Sequence, residues 1–167
     1  MLLLDQGPSV TKRQYEKVLK YIEIGLSEGA RLYYGGKRHG THGRFIEPTI
    51  FVDVTQDMKI SQDEIFGPVL CVSRYKTDEE AVNLANSGSY GLWANVWTSS
   101  IDRAIFYSKR LEAGTVTINC NDSPGCLMPF GGYKESGIGR ERGIEGVEEY
   151  TETKSIIIKM KQMPIID

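Results

Sequence analysis

Val69-Leu70-Cys71-Val72 is a four-residue apolar run, and the fold is read outward from it. An unbroken run of this length is the pattern of a strand buried on both faces. Thr77-Asp78-Glu79-Glu80 follows as a capping box, in which the threonine hydroxyl and the glutamate three residues on satisfy free N–H groups at a helix start. The helix carries Ala81, Val82, Leu84 and Ala85 toward the core, and Gly88 suits its end. Gly91 to Trp97 reads as a second strand. Ser100 to Glu112 reads as a second helix, with Ile101, Ala104, Ile105, Ser108 and Leu111 on one face, and Thr115 to Asn119 as a third strand. This β-α-β-α-β alternation predicts an α/β fold, a parallel open sheet with covering helices and right-handed crossovers.

Upstream, Thr11-Lys12-Arg13-Gln14 is another capping box, and Tyr15, Val18, Leu19, Ile22 and Leu26 recur at helical spacing up to Gly29. Leu32-Tyr33-Tyr34 is a short strand closed by Gly35-Gly36, and a glycine-containing surface loop runs from Lys37 to Arg44. Phe45 to Val54 is rich in β-branched and aromatic residues, with Pro48 arguing for an edge or bulged strand. Downstream, Asn121 to Gly139 is long, glycine- and proline-rich and without periodicity, and such loops inside compact domains are usually functional. Arg140 to Tyr150 suggests a short helix. Ser155 to Met160, carrying Ile156-Ile157-Ile158, reads as a protruding terminal strand that pairs with another subunit or domain.

A chain of 167 residues can bury an ordinary core. Its net charge of −2 gives no electrostatic reason to expect a nucleic-acid partner, and Lys37-Arg38-His39 reads as a solvated turn. No apolar run approaches the ~20 residues of a membrane span, and Met1-Leu2-Leu3-Leu4 is too short for a signal-peptide core. Three cysteines without framework spacing fit a reducing, cytoplasmic setting. His39 and His42 share one loop with no cysteine pair nearby, so no metal is expected. The glycines Gly137, Gly139 and Gly143 fail as a dinucleotide fingerprint: Arg142 stands where the third glycine belongs, and no strand leads in.

Glu64-Ile65-Phe66-Gly67-Pro68 is the best candidate for chemistry. A carboxylate can accept hydrogen bonds from two adjacent ribose hydroxyls, and a phenylalanine face can lie against a flat nicotinamide. The plainer alternative is a polar turn residue beside a core phenylalanine.

That motif, followed by Pro129-Phe130-Gly131-Gly132-Tyr133-Lys134-Glu135-Ser136-Gly137, resembles the C-terminal third of the aldehyde dehydrogenase superfamily, from about Gln6 to Met160. The resemblance implies an aldehyde dehydrogenase catalytic-domain-like fold, with residues 1–137 a partial catalytic domain and 138–167 a C-terminal helix and oligomerisation strand. It implies that Glu64 binds the nicotinamide ribose of NAD or NADP, that Phe66 packs near the nicotinamide, and that Gln14 makes a weaker cofactor contact. Phe130 matches an aromatic residue of the aldehyde tunnel, whose loop here includes Cys126 and Leu127, with Pro124 where many members place another aromatic. The implied reaction is oxidation of an aldehyde to a carboxylic acid through a cysteine hemithioacetal. None of Cys71, Cys120 and Cys126 matches the nucleophile, so no catalytic residue is assigned and the chain alone is expected to be catalytically incomplete. A homo-oligomer, or pairing with a dehydrogenase subunit through residues 155–160, is implied for the tail; the plainer alternative is an ordinary terminal strand within the same domain. The alternative is a non-catalytic oligomerising or regulatory module, or a remnant fragment. Either way, apolar surface should be exposed.

Overall fold

The computed structural model describes residues 6–121 and 125–160, so the readings of residues 1–4 and of Pro124 lie outside the described residues. The chain divides into two compact units, Met1–Ser89 and Tyr90–Asp167; the expected boundary after Gly137 falls inside the second.

In the first unit, helix α1 (Lys12–Ser27) begins where the sequence placed it, the Thr11 hydroxyl accepting from the Gln14 N–H. It ends in a six-residue C-cap: Gly29, at φ 91°, donates to Leu26 and Ala30 to Gly25. Val18, Ile22 and Gly25 form its buried stripe. Strands β1 (Arg31–Tyr34), β2 (Thr49–Val52) and β3 (Val69–Val72) make one sheet in that order, β1 antiparallel and β3 parallel to β2. Short helix α2 (Lys59–Gln62) and α3 (Asp78–Asn86) complete the unit. The core gathers Val18, Ile22, Ile46, Phe51, Met58, Ile60 and Ile65. Thr49 is buried without loss, donating to the Glu47 carbonyl and accepting from the Gly36 N–H.

Two local expectations change. Pro48 precedes β2, which is central rather than an edge, so no ladder donor is lost; the irregularity falls on β1, between Leu32 and Tyr34. Strand β3 is not buried on both faces: Val69 and Cys71 pack on the core, while Leu70 and Val72 are exposed. An apolar run cannot distinguish a face already covered from one open to a further layer. In α3, Thr77 caps Glu80 and the Glu80 carboxylate reaches back to the Lys76 N–H; Val82 is buried, whereas Ala85 faces out.

The second unit contains the other parallel pair, β5 (Trp93–Val96) with β6 (Thr115–Ile118), linked by α4 (Ile101–Arg110). The expected strand from Gly91 is broken, because β4 (Tyr90–Gly91) pairs instead with β7 (Tyr133–Lys134). Gly114 is required there: a Cβ would meet the Gly131 carbonyl oxygen at 1.7 Å. The buried face of α4 is Ala104 and Tyr107, while Ile101 and Ile105 are exposed. Arg140 closes the glycine-rich loop, donating to the Gly132 and Gly139 carbonyls. Helix α5 (Gly143–Glu148) lies inside the expected span. Ser155 to Met160 has no ladder partner among the described residues, and Ile156, Ile157 and Ile158 are 75–93% exposed. The fold is α/β, with parallel pairing in both units.

Candidate functional site

In the first unit, α1 and the Glu64–Pro68 turn meet. The Gln14 side-chain amide donates to the Phe66 carbonyl instead of completing its capping box. One helical step on, the Lys17 ammonium donates to the Glu64 carbonyl at 3.3 Å and lies 5.6 Å from the centroid of the Phe66 ring. The approach is so close that only glycine fits at position 67, where a Cβ would stand 2.4 Å from a Val18 methyl. Before the turn, the Tyr21 hydroxyl donates to Asp63 at 2.8 Å, and Lys59 pairs with the same carboxylate. These hydrogen bonds, that of Lys59 first, hold the Asp63 carboxyl below the usual range, and Asp63 in turn raises the Lys59 ammonium.

The braced turn presents Glu64 and Phe66 outward. Glu64 is exposed, and the Phe66 ring is 65% exposed, so the reading of a core phenylalanine does not hold. Phe66 adopts φ 58°, a left-handed conformation costing a side-chain-bearing residue about 1–2 kcal/mol. Backbone strain held in place by surrounding contacts concentrates at ligand-binding positions. Beside the ring runs an open groove of about 460 Å³, lined among others by Pro8, Val10, Gln14, Phe66 and Pro68. These groups could hold the nicotinamide–ribose half of a dinucleotide: a carboxylate to accept from two hydroxyls, an ammonium beside the ring, and an exposed aromatic face.

In the second unit, Phe130 is half-buried and its main chain exchanges two hydrogen bonds of 2.7 Å with Glu141. It lines an open cavity of about 610 Å³ with Leu92, Gly132, Ile138, Arg142 and Tyr150, among others. Cys126 and Leu127 are not brought to this cavity; they lie in a 3-10 turn, Gly125–Leu127, that leaves both exposed. Cys71 packs partly buried against the core: its thiol donates to the Ile60 carbonyl, and burial pushes its pKa up. Among the described residues no group of three or more His, Cys, Asp or Glu side chains is gathered as for a metal, and no helix is long and apolar enough to cross a membrane.

Sequence reasoning missed Lys17, although its spacing from Gln14 puts both on one helix face. It also missed Trp93 and Arg142, which flank Phe130 from distant segments; no local signal could have joined them.

A family model described as the aldehyde dehydrogenase family matches residues 3–156. A putative aldehyde dehydrogenase-like protein of Schizosaccharomyces pombe is 53% identical over 155 residues, covering 93% of this chain and 31% of the relative. Human retinal dehydrogenase 2 is 48% identical, over 95% of this chain and 30% of its own. An NAD+ complex of aldehyde dehydrogenase from Bacillus cereus superposes with a TM-score of 0.88 at 48% identity, covering 94% of this chain and 32% of that one. The enzyme from Mycobacterium tuberculosis complexed with NAD+ gives a TM-score of 0.87 at 45% identity, over 94% and 33%. The chain thus spans about a third of the length of the relatives it matches. On sequence and on fold, it belongs to the aldehyde dehydrogenase family.

Proposed function

We propose that this chain supplies the nicotinamide–ribose contacts, part of the aldehyde wall and an assembly strand to an NAD(P)-dependent aldehyde dehydrogenase, and does not turn over substrate alone. The observation that carries this reading is the turn at Phe66: strained to φ 58°, tied to Gln14 and Lys17, and presenting an exposed ring beside an exposed carboxylate. Its C-terminal placement in the longer enzyme is part of the proposal, on the order of the two motifs.

NAD or NADP, when bound, accepts the hydride that leaves the aldehyde carbon. Glu64 accepts hydrogen bonds from the ribose hydroxyls, Lys17 braces the turn through the Glu64 main-chain carbonyl, and Phe66 offers an apolar face to the nicotinamide. Gln14, already donating to Phe66, acts by holding the turn. Phe130 contributes an apolar wall that keeps water from the carbonyl. The nucleophile and the general base come from polypeptide outside these 167 residues. Without a covalent thiol and a positioned base, many powers of ten in rate are lost. The exposed isoleucines of residues 155–160 pair with a second copy or a dehydrogenase subunit by strand addition.

Two measurements test this. The intact chain is mixed with aldehydes and NAD(P), and NADH or NADPH formation is followed; no turnover is expected, and turnover would overturn the incomplete-enzyme reading. Nicotinamide mononucleotide is titrated by NMR, where resonances at Glu64, Phe66 and Lys17 should respond and the response should weaken in Glu64→Gln. A response confined to other residues would remove the cofactor assignment.

A further inference from the structure

Phe130 stands between two groups that the aldehyde-wall reading leaves unused. The Trp93 ring approaches it at 6.2 Å between centroids, tilted by 51°, and the Arg142 guanidinium lies 5.4 Å from the centroid of the same ring. Trp93 is itself tethered. Its indole N–H donates to Asn95 at 2.7 Å and to Thr117 at 3.3 Å, and the Thr117 hydroxyl donates to the same Asn95 oxygen. Asn95 and Thr117 are register partners across β5 and β6, and the Asn95 amide continues to Asn121. The indole is therefore hydrogen-bonded to both strands of the parallel pair, which favours one orientation of the ring. From the other direction Arg142, at φ 62°, follows Glu141, the residue that pins the Phe130 main chain. Three segments distant in sequence converge on one ring.

We propose that Trp93 is a positioning residue, which with Arg142 clamps the Phe130 ring so that the aldehyde wall selects flat aromatic or conjugated aldehydes over branched ones. The selectivity rests on the reading of Phe130 as an aldehyde-wall residue; the clamp itself does not. An aromatic wall that cannot swing receives a flat partner edge-to-face at no reorganisation cost, whereas a branched one needs the ring to move. A purely packing role for Trp93 would predict a change in stability and none in ring position or in the discrimination between aldehydes.

The test is 19F NMR of the full chain carrying 4-fluorophenylalanine, which places five labels. Phe130 is assigned with Phe130→Leu, and Phe51 in the core of the first unit reports on folding. The native Phe130 signal should lie away from that of the free amino acid. It should move toward that position in Trp93→Leu and in Arg142→Gln, while Phe51 stays in place. Trp93→Phe, which keeps a ring but loses the N–H tether, should fall between and covers the case in which Trp93→Leu does not fold. Benzaldehyde should shift the native Phe130 signal at concentrations about tenfold lower than 2,2-dimethylpropanal, a ratio of the size that small shape differences produce in apolar pockets. In Trp93→Phe that ratio should shrink toward one. An unchanged Phe130 signal in folded Trp93 variants overturns the clamp and leaves the wall reading intact. A native signal that ignores both aldehydes overturns the wall reading and the selectivity with it, while the clamp is judged by the variants alone.

Discussion

Replacing Gly67 with alanine should loosen the first unit and its candidate site together. The added methyl would stand 2.4 and 2.7 Å from the two methyls of Val18, where carbon atoms normally rest at about 3.5–4.0 Å. One side must shift by about 1 Å or more. Val18 cannot yield cheaply, because it is wholly buried in the helix stripe and its β-branched side chain has one strongly favoured rotamer. The turn must therefore lift from α1, straining the Gln14 and Lys17 hydrogen bonds to Phe66 and Glu64. Overpacking of this kind costs about 1–3 kcal/mol. Taking about 2 kcal/mol, a unit of this size should lose about 10 °C in Tm. Both tryptophans lie in the second unit, so the readout is hydrogen exchange of α1 amides under rising urea. Val18→Ala alone should cost about 2–3 kcal/mol through lost burial and a cavity. In the double variant the new methyl enters the space vacated, so the combined cost should fall short of the sum by about 1–2 kcal/mol. Strict additivity would refute the steric argument.

The other outcomes are simpler to state. Phe66→Gly removes left-handed strain of about 1–2 kcal/mol against an added chain-entropy cost of about 0.5–1 kcal/mol, so urea denaturation should find the first unit as stable as before or slightly more so. Nicotinamide mononucleotide shifts should vanish in the same variant. Phe51→Ala, at the centre of the first core, should cost about 3–5 kcal/mol, measured by the same α1 exchange. The Asp63–Lys59 pair sets a pH dependence with two limbs. Because the folded Asp63 pKa is lowered, its contribution is complete above the ordinary carboxylate value of about 3.9 and is lost as pH falls through the folded value. Because the folded Lys59 pKa is raised, that contribution is complete below about 10.4 and is lost as pH climbs through the folded value. Asp63→Asn should flatten both limbs in urea titrations across pH; unchanged limbs would remove the pair from the account. The self-association proposed through residues 155–160 should weaken in Ile157→Lys when followed by analytical ultracentrifugation, since a charge replaces a side chain that is 93% exposed.

Much of this molecule was legible residue by residue. The caps at Thr11 and Thr77 lie where their side chains can reach backbone N–H groups a few residues away, and both form; the Ser100 cap on α4 was not singled out. Such bonds depend only on neighbours in the chain. Strands β3 and β6 were legible for a similar reason, from runs of four apolar or β-branched residues, whereas β5 emerged only as the later part of the strand expected from Gly91. The burial of those elements was not. Leu70 and Val72 on β3, and Ile101 and Ile105 on α4, read as core from their apolarity, yet they face outward. In relatives three times as long, a motif can carry side chains meant for layers beyond the segment itself. Gln14 shows the same limit at one residue: its spacing from Thr11 spells a reciprocal cap, but the carbonyl it bonds is 52 residues away.

Sequence alone therefore determined where α1, α3 and α4 begin, which family the two motifs belong to, and that Glu64 and Phe66 are candidate binding residues. Tertiary structure decided that Phe66 is strained outward rather than buried, that Lys17 stands beside it, and that Trp93 and Arg142 meet at Phe130. The physical reason is range: capping and periodicity act over one or two turns of chain, whereas strain, cation placement and ring packing are fixed only when distant segments close on one another.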